Sequence, residues 1–104
     1  MYARLVEIEG IDPSRREEAL SNIRDTAIPM LKEVDGFAGF IALADADNRR
    51  ARNVVLWETR EGAEEAERRM AQRREEMVTA MGATVRSADL YEALIVEVTE
   101  AARA

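Results

Sequence analysis

The chain contains neither cysteine nor histidine. Without cysteine there can be no disulfide, no thiolate nucleophile and no cysteine-based metal site. Without histidine the commonest acid–base side chain and the commonest transition-metal ligand are both missing. The sequence also shows no glycine-rich phosphate loop and no carboxylate cluster at metal-ligand spacing. These absences predict a protein with no metal and no cofactor, and they leave its catalytic residues, if it has any, unassigned.

Basic residues are too few for a surface that binds phosphates. Lysine and arginine number 15 against 21 aspartate and glutamate residues, which gives a net charge of −6. Because phosphate binding needs a basic footprint, we expect neither nucleic acid nor an anionic membrane as a partner. No apolar run approaches the roughly 18 residues of a membrane span. The first residues lead directly into a strand-like pattern, so we expect no signal peptide and a cytoplasmic location.

The residues that are present suit one compact domain. The chain has 104 residues, of which 47% are hydrophobic and 35% charged, an ordinary globular balance. We find no internal linker or low-complexity segment, so a single domain over residues 1–104 is expected. Alternating or continuous apolar runs predict strands, and apolar residues at helical spacing predict helices. The predicted elements are strand 2–9, a helix from about 12 to 35, strand 37–44, strand 52–59, helix 60–81 and strand 84–98.

Local signals mark where the two helices begin and break. Asp12 or Ser14 can cap the first helix. Pro29 lies inside its apolar pattern and should kink or split it near residues 26–28, because proline lacks a backbone donor. Thr59 is the predicted cap of the second helix. In the fourth strand the segment 90–98 gives the clearest strand pattern.

The segment 53–62 organises the predicted architecture. Its four consecutive apolar residues, from Val54 to Trp57, are typical of a strand in the centre of a sheet. The order strand, helix, strand, strand, helix, strand is that of the ferredoxin-like fold, an α+β arrangement. Right-handed crossovers place the first and third strands side by side in the middle of a four-stranded antiparallel sheet. Both helices then cover one face of the sheet.

The other face of this sheet would remain uncovered in a single chain. The strands are apolar on both of their alternating sides, as in Phe37 to Ala44, which contains no polar residue. Two helices can cover only one side. The other would expose more than the roughly 300–600 Å² of apolar patch usual for a monomer. We therefore expect a homodimer that packs two open sheet faces together, as in a dimeric α/β barrel.

Several apolar residues could either fill the core or line a ligand site. Trp57 is a large core residue or a pocket wall that stacks on a flat substrate. Tyr91 packs in the barrel or interface, or donates a hydrogen bond to a substrate oxygen. The methionine stripe of the second helix forms core or lines an adaptable apolar pocket. The candidate binding residues are Trp57, Tyr91, Met70, Met77 and Phe40.

Charged and polar residues within the predicted elements offer fewer candidates. If Glu7 or Glu92 faced inward, burial would raise its pKa and allow it to act as a base. A strand-edge carboxylate paired with arginine, for which Arg4 and Arg86 are available, is the commoner outcome.

Two asparagines lie beside apolar stripes. Asn22 and Asn53 could hold an oxyanion, or could simply cap an element or face solvent.

Three segments of the chain resemble the antibiotic biosynthesis monooxygenase-like domains of the dimeric α/β-barrel superfamily. They are Asp35 to Phe40, the run from Val54 to Ala63, and Asp89 to Glu92. The resemblance extends over about residues 2–98. It implies a small cleft between the sheet and the helices, in which some members oxidise aromatic polyketides without metal or flavin.

Other members of this superfamily bind and degrade haem, and they are similar around Trp57. Those members also use an asparagine on the first strand and a histidine on the second helix. Here residues 2–9 contain no asparagine and the chain has no histidine. We therefore set the haem interpretation aside.

Two functions remain. One is a cofactor-independent monooxygenase-like enzyme for a small aromatic or polyketide-like molecule. The other is a non-catalytic homodimer that binds a small hydrophobic ligand or has a structural role. An enclosed cleft beside Trp57 that contains one desolvated ionisable group would favour the enzyme, whereas a cleft filled by Trp57, Met70 and Met77 would exclude it.

Overall fold

A computed structural model describes residues 1–99 and shows four strands and a set of helical segments. A 3-10 turn and a π-helical turn accompany the three α-helices. In chain order the elements are β1 (Tyr2–Glu9), the 3-10 turn Pro13–Arg15, α1 (Arg16–Asn22), the π-helical turn Ile23–Ala27, α2 (Ile28–Lys32), β2 (Phe37–Asp45), β3 (Arg50–Trp57), α3 (Arg60–Ala80) and β4 (Thr84–Glu92).

The strands form one antiparallel sheet in the order β2-β3-β1-β4. The first and third strands lie in the middle, as the crossover rule predicts. The ferredoxin-like fold expected from the sequence is therefore confirmed. No helix within residues 1–99 is long and apolar enough to cross a membrane.

The first helical segment starts and breaks near the predicted positions. The Asp12 side chain accepts a hydrogen bond from the backbone N–H of Ser14 at 3.0 Å, and Pro13 occupies the first turn. The regular helix ends at Asn22 and continues as a π-helical turn up to Ala27. Pro29 explains the irregularity, because it cannot donate a backbone hydrogen bond and its ring clashes with the preceding turn. In place of the predicted kink or split, the helix therefore changes its pitch over the π-helical turn and continues as α2.

The core lies between the sheet and the helices, and Trp57 is at its centre. Trp57 is 1% exposed and contacts the ring of Phe37 edge to face, with the centroids 5.7 Å apart. Val55, two residues earlier on the same side of β3, is also buried. The side of β3 that carries Trp57 therefore faces the helices. The sequence alone did not decide which side of the sheet Trp57 occupies.

The opposite face of the sheet carries an apolar patch that is uncovered in the single chain. Ile41 is 42% exposed, Leu43 50% and Tyr91 52%. Ile41 pairs with Val54, and Tyr91 pairs with Ala3, so these positions lie on one side of the sheet. This open face consists of alternate residues of all four strands.

The last two strands differ from their predicted bounds. β3 ends at Trp57 instead of residue 59, because Thr59 caps α3 and accepts a hydrogen bond from the N–H of Gly62 at 3.0 Å. β4 ends at Glu92, so the predicted segment 90–98 is a strand only over residues 90–92, and the prediction was wrong for residues 93–98. The physical reason is the lack of a partner: Glu92 pairs with Tyr2, the Ala93 N–H bonds to the Met1 carbonyl, and β1 offers no residue opposite 94–98.

Candidate functional site

A cavity of about 180 Å³ lies between the helix-facing side of the sheet and the helical layer. The central strands form its floor, and α1, the π-helical turn and α3 form its walls. It is lined mainly by apolar side chains, which include Val6, Ile8, Ile23, Leu31, Phe40, Val55, Met70, Met77, Val78 and Met81. An apolar cavity of about 150 Å³ is already large enough to bind benzene, so this one can hold a small aromatic ring system.

The structure brings three of the five predicted binding residues to this cavity. Phe40, Met70 and Met77 line it directly. Trp57 lies next to it, in the wall of a smaller cavity of about 30 Å³ to which Met70 also belongs. Tyr91 is on the open face of the sheet and does not reach either cavity. The methionines therefore line a cavity without filling it.

Polar groups enter the apolar cavity at a few points. Asn53 lines its floor, and its side-chain amide makes no hydrogen bond to another described residue. Asn22 lines the wall, and its amide has only a 3.9 Å contact with the sulfur of Met81. Asp12 and Arg15 lie at one end. A mostly apolar cavity with a few convergent polar groups is the usual form of a small-molecule site.

Arg74 is the charged group that enters the cavity wall from α3. Its Nη1 and Nη2 donate to Oε2 and Oε1 of Glu67 at 3.0 and 2.6 Å. The same carboxylate lies 3.4 Å from Nε of Arg4, whose Nη1 donates to the carbonyl of Ala88 at 3.0 Å. Two guanidinium groups thus share one carboxylate, which leaves this cluster with a net positive charge beside the cavity.

One donor of Arg74 is left without a partner. Its Nε is buried and has no acceptor among the described residues. An unpaired buried donor costs free energy, and a charged one costs more. The side chain of Arg74 also lines the adjoining cavity.

The pKa of Glu67 shows which effect dominates in this cluster. Burial raises the pKa of its carboxyl, but the hydrogen bonds from Arg74 and the charges of Arg74 and Arg4 offset that effect, so the pKa is lowered overall. The pKa of Asp12 is also lowered, chiefly by the hydrogen bonds from the hydroxyl and the N–H of Ser14. Both carboxylates are therefore ionised near neutral pH and are weak bases.

The two predicted carboxylate candidates lie elsewhere. Glu7 points to the open face, where it accepts hydrogen bonds from Ser87 Oγ and Arg52 Nε, each at 3.0 Å. These two bonds lower its pKa, in that order of size, so Glu7 is not the raised-pKa base considered from the sequence. Glu92 is exposed at the end of β4. The arginines also pair differently, Arg4 with Glu67 and Arg86 with Glu9.

In the sequence, Arg74 is a charged residue that interrupts the apolar stripe of the second helix. Arg73 could equally have been the interrupting residue, yet Arg73 is exposed and Arg74 is half-buried. A charged residue within a buried stripe was the available signal. Its carboxylate partner seven residues earlier could not be chosen from the many glutamates of α3. Within residues 1–99, no group of three aspartate, glutamate, cysteine or histidine side chains is arranged to hold a metal ion.

Comparison with known proteins identifies the fold but no family. No protein-family model matches the chain, and no curated protein is similar to it in sequence. Among solved structures, it is similar to a monooxygenase from the ActVA-Orf6 gene of Streptomyces coelicolor, in complex with nanaomycin D. The TM-score is 0.71 at 12% identity, over 95% of this chain and 92% of that one.

Two further structures have the same fold. One is a dimeric ferredoxin-like protein from an uncultured marine organism, with a TM-score of 0.69 at 8% identity, over 95% of this chain and all (100%) of the other. The other is a MhuD variant with two manganese protoporphyrin IX molecules per active site. Its TM-score is 0.64 at 19% identity, over 95% of this chain and 100% of that one. At these identities the similarity establishes the ferredoxin-like fold alone.

Proposed function

We propose that this protein binds a small aromatic or polyketide-like molecule in the cavity between sheet and helices, and oxidises it as a cofactor-independent monooxygenase. The observation that carries the proposal is the apolar cavity lined in part by Arg74, a cation whose buried Nε has no acceptor among the described residues. A flat ligand would lie against Phe40 and Met77, and an oxygen substituent would approach Arg74 and Asn53. The structural similarity to a monooxygenase with a bound ligand supports the same kind of site.

The chemistry requires little more than stabilising a substrate anion. An aromatic ketone that gives up a carbon-bound proton to water or hydroxide becomes an enolate, which reacts with dioxygen at that carbon and takes up a proton to form a hydroperoxide. Loss of water from the resulting hydroperoxide then gives a quinone. For anthrone, the balanced reaction is anthrone plus dioxygen to anthraquinone plus water. The positive charge of Arg74 and the amide of Asn53 would stabilise the enolate oxygen, while the apolar walls exclude water.

Oxygen uptake with anthrone tests this proposal. We expect the wild-type protein to accelerate oxygen consumption and anthraquinone formation in a one-to-one ratio, and we expect Arg74→Met to reduce the rate. Arg73→Met is the matched control, because Arg73 is the exposed neighbour on the same helix. If wild type, Arg74→Met and Arg73→Met all bind anthrone but leave its oxygen uptake at the protein-free rate, the oxygenase proposal fails.

A second candidate function is binding without turnover. The observation that favours it is that Asp12 and Glu67, two carboxylates near the cavity, both have a lowered pKa. A carboxylate with a lowered pKa is a weak base. A protein that lacks a base would hold an anion without generating it. Tight binding of 2-naphthoate by calorimetry, together with no oxygen uptake from anthrone, would identify this function.

We further propose that the working form is a homodimer joined through the open sheet face. Ile41, Leu43 and Tyr91 are each between 42% and 52% exposed on that face of the single chain. Packing two such faces would remove this apolar surface from water. The fold is shared with a protein described as dimeric. Light scattering at micromolar concentration tests the proposal, and a monomer would refute it.

A further inference from the structure

A second cavity lies beside Trp57, and we call it the small cavity. Its volume is about 30 Å³. About 10–15 Å³ of such space is enough for one water molecule, whereas an aromatic ring needs a cavity several times larger than the small cavity. The small cavity therefore has room for one diatomic molecule but not for the aromatic ligand itself.

The lining of the small cavity combines an apolar part with a charged part. The charged part is the cluster of Arg4, Glu67 and Arg74, in which two guanidinium groups share one carboxylate. The remaining lining residues are all buried and apolar: Leu31, Val55, Trp57, Ala63, Ala66 and Met70. An uncharged molecule is therefore well placed against the apolar part, and any negative charge that it acquires lies beside two cations.

The small cavity is a direct neighbour of the larger ligand cavity. Leu31, Val55, Met70 and Arg74 line both of them. A methionine side chain is unbranched and has three rotatable bonds, so Met70 can move aside without a change in the backbone. A molecule in the small cavity is thus separated from a ligand in the larger cavity only by side chains that both cavities share.

We propose that the small cavity is the site from which dioxygen reacts with the substrate. This inference rests on the proposed monooxygenase function and adds the binding place of its second substrate. Dioxygen is uncharged and apolar. It is favoured over water in the small cavity, because water needs about two to four polar partners and the buried part of the lining is apolar.

The charged part of the lining acts once electrons move. One electron passes from the substrate enolate to dioxygen, which gives a substrate radical and superoxide. These two combine, so that a carbon–oxygen bond forms and the negative charge lies on the outer oxygen of a peroxide anion. The guanidinium groups of Arg4 and Arg74 stabilise the negative charge of both superoxide and peroxide. The peroxide then takes a proton from water and becomes the hydroperoxide.

Filling the small cavity tests the inference by kinetics. Ala66 lines the small cavity but not the larger one, so the two added methyl groups of Ala66→Val occupy the space assigned to dioxygen. We expect the KM for dioxygen to rise about fivefold or more, while the KM for anthrone changes less than about twofold. Ala71→Val is the matched control, because Ala71 lies on the same helix and lines neither cavity. An unchanged KM for dioxygen in a folded Ala66→Val protein would overturn the inference.

A measurement on the wild-type protein tests the site without turnover and without any substitution. Dissolved dioxygen is paramagnetic, so it speeds the nuclear relaxation of the methyl groups that it contacts. Ala66 is only 4% exposed, whereas Ala71 is half-buried. Collisions from solvent alone would therefore relax the Ala71 methyl more than the Ala66 methyl. Under dioxygen pressure, compared with nitrogen, we expect the opposite order.

The two measurements separate this inference from the proposed function. If the Ala66 methyl relaxes faster than that of Ala71 but anthrone gives no oxygen uptake, the dioxygen site stands and the oxygenase function fails. If the Ala66 methyl relaxes no faster than that of Ala71, the dioxygen site is wrong, whatever the protein does with anthrone.

Discussion

Arg74 and Glu67 form a bidentate ion pair along one face of α3, with Nη1–Oε2 and Nη2–Oε1 distances of 3.0 and 2.6 Å. The pair holds the guanidinium in the cavity wall and occupies both of its terminal nitrogens. The remaining donor, Nε, is buried without an acceptor among the described residues. The proposed ligand site follows from this geometry, since a fixed and incompletely paired cation suits an anionic oxygen.

Replacing Arg74 should weaken binding of an anionic aromatic ligand more than that of a neutral one. A hydrogen bond to a charged group contributes about 1.5–3 kcal/mol. We therefore expect Arg74→Met to raise the dissociation constant of 2-naphthoate roughly 10- to 100-fold, at about 1.4 kcal/mol for each factor of ten. Neutral 2-naphthol should lose less. Calorimetric titration measures both. The exposed Arg73→Met serves as the control, and an equal loss in both variants would contradict the assigned role.

Glu67 should make stability depend on pH in the acidic range. Burial raises its pKa, but the hydrogen bonds from Arg74 and the two arginine charges lower it below the ordinary value of 4.5. A lowered pKa in the folded state stabilises the fold above the unfolded-state pKa, and this contribution is lost as the pH falls through the folded-state pKa.

Urea unfolding measured from pH ~7 to ~3 tests this dependence. We expect Glu67→Gln to be less stable than wild type at neutral pH, and the difference between them should shrink on acidification. Glu17→Gln, at an exposed position with no ion pair among the described residues, should run parallel to wild type. A constant difference between Glu67→Gln and wild type across this range would show that the ion pair does not stabilise the fold.

Gly62 should tolerate no side chain, although it lies within the first turn of α3. A Cβ at this position would be 2.6 Å from the carbonyl oxygen of Asp35 and 3.4 Å from the ring of Trp57. Gly62→Ala should therefore lower the unfolding free energy by about 1–3 kcal/mol, the usual cost of overpacking, despite the better helix propensity of alanine. Thermal unfolding followed by circular dichroism measures the effect. Gln72→Ala, at an exposed position of the same helix, should change stability little, and similar values for both variants would contradict the steric argument.

A charge on the open face should disrupt the proposed dimer. Ile41 is 42% exposed, pairs with Val54 across the sheet, and would be covered by the second copy. We expect Ile41→Asp to raise the dimer dissociation constant about 100-fold or more, because an unpaired carboxylate would be buried in an apolar contact. The exposed Lys32→Asp on α2 is the control. Analytical ultracentrifugation gives both constants, and unchanged association of Ile41→Asp would place the interface elsewhere.

Much of the fold could be predicted because its signals are local. The alternation of Val6 and Ile8 with Leu5 and Glu7 is a property of the extended chain, and the structure buries Val6 and Ile8. The effect of Pro29 on its helix follows equally from the missing donor of one residue. The order of the elements, with the handedness of crossovers, then determines the topology.

The site was less predictable because its contacts are distant in sequence. The candidate residues Phe40, Met70 and Met77 line the cavity, whereas Tyr91 lies on the other side of the sheet. A one-residue change of register reverses the face of every side chain in a strand. The composition of residues 93–98 is typical of a strand, but a strand also needs a neighbouring strand with which to form hydrogen bonds.

The sequence by itself determined the period and order of the elements, and the absence of cysteine and histidine chemistry. Only the tertiary structure decided that Trp57 faces the helices, that β4 ends at Glu92 and that Arg74, not Arg73, enters the cavity. Periodicity depends on near neighbours along the chain. Orientation, strand pairing and the surroundings of a charge depend on residues up to 90 positions away, such as Tyr2 and Glu92, which only packing brings together.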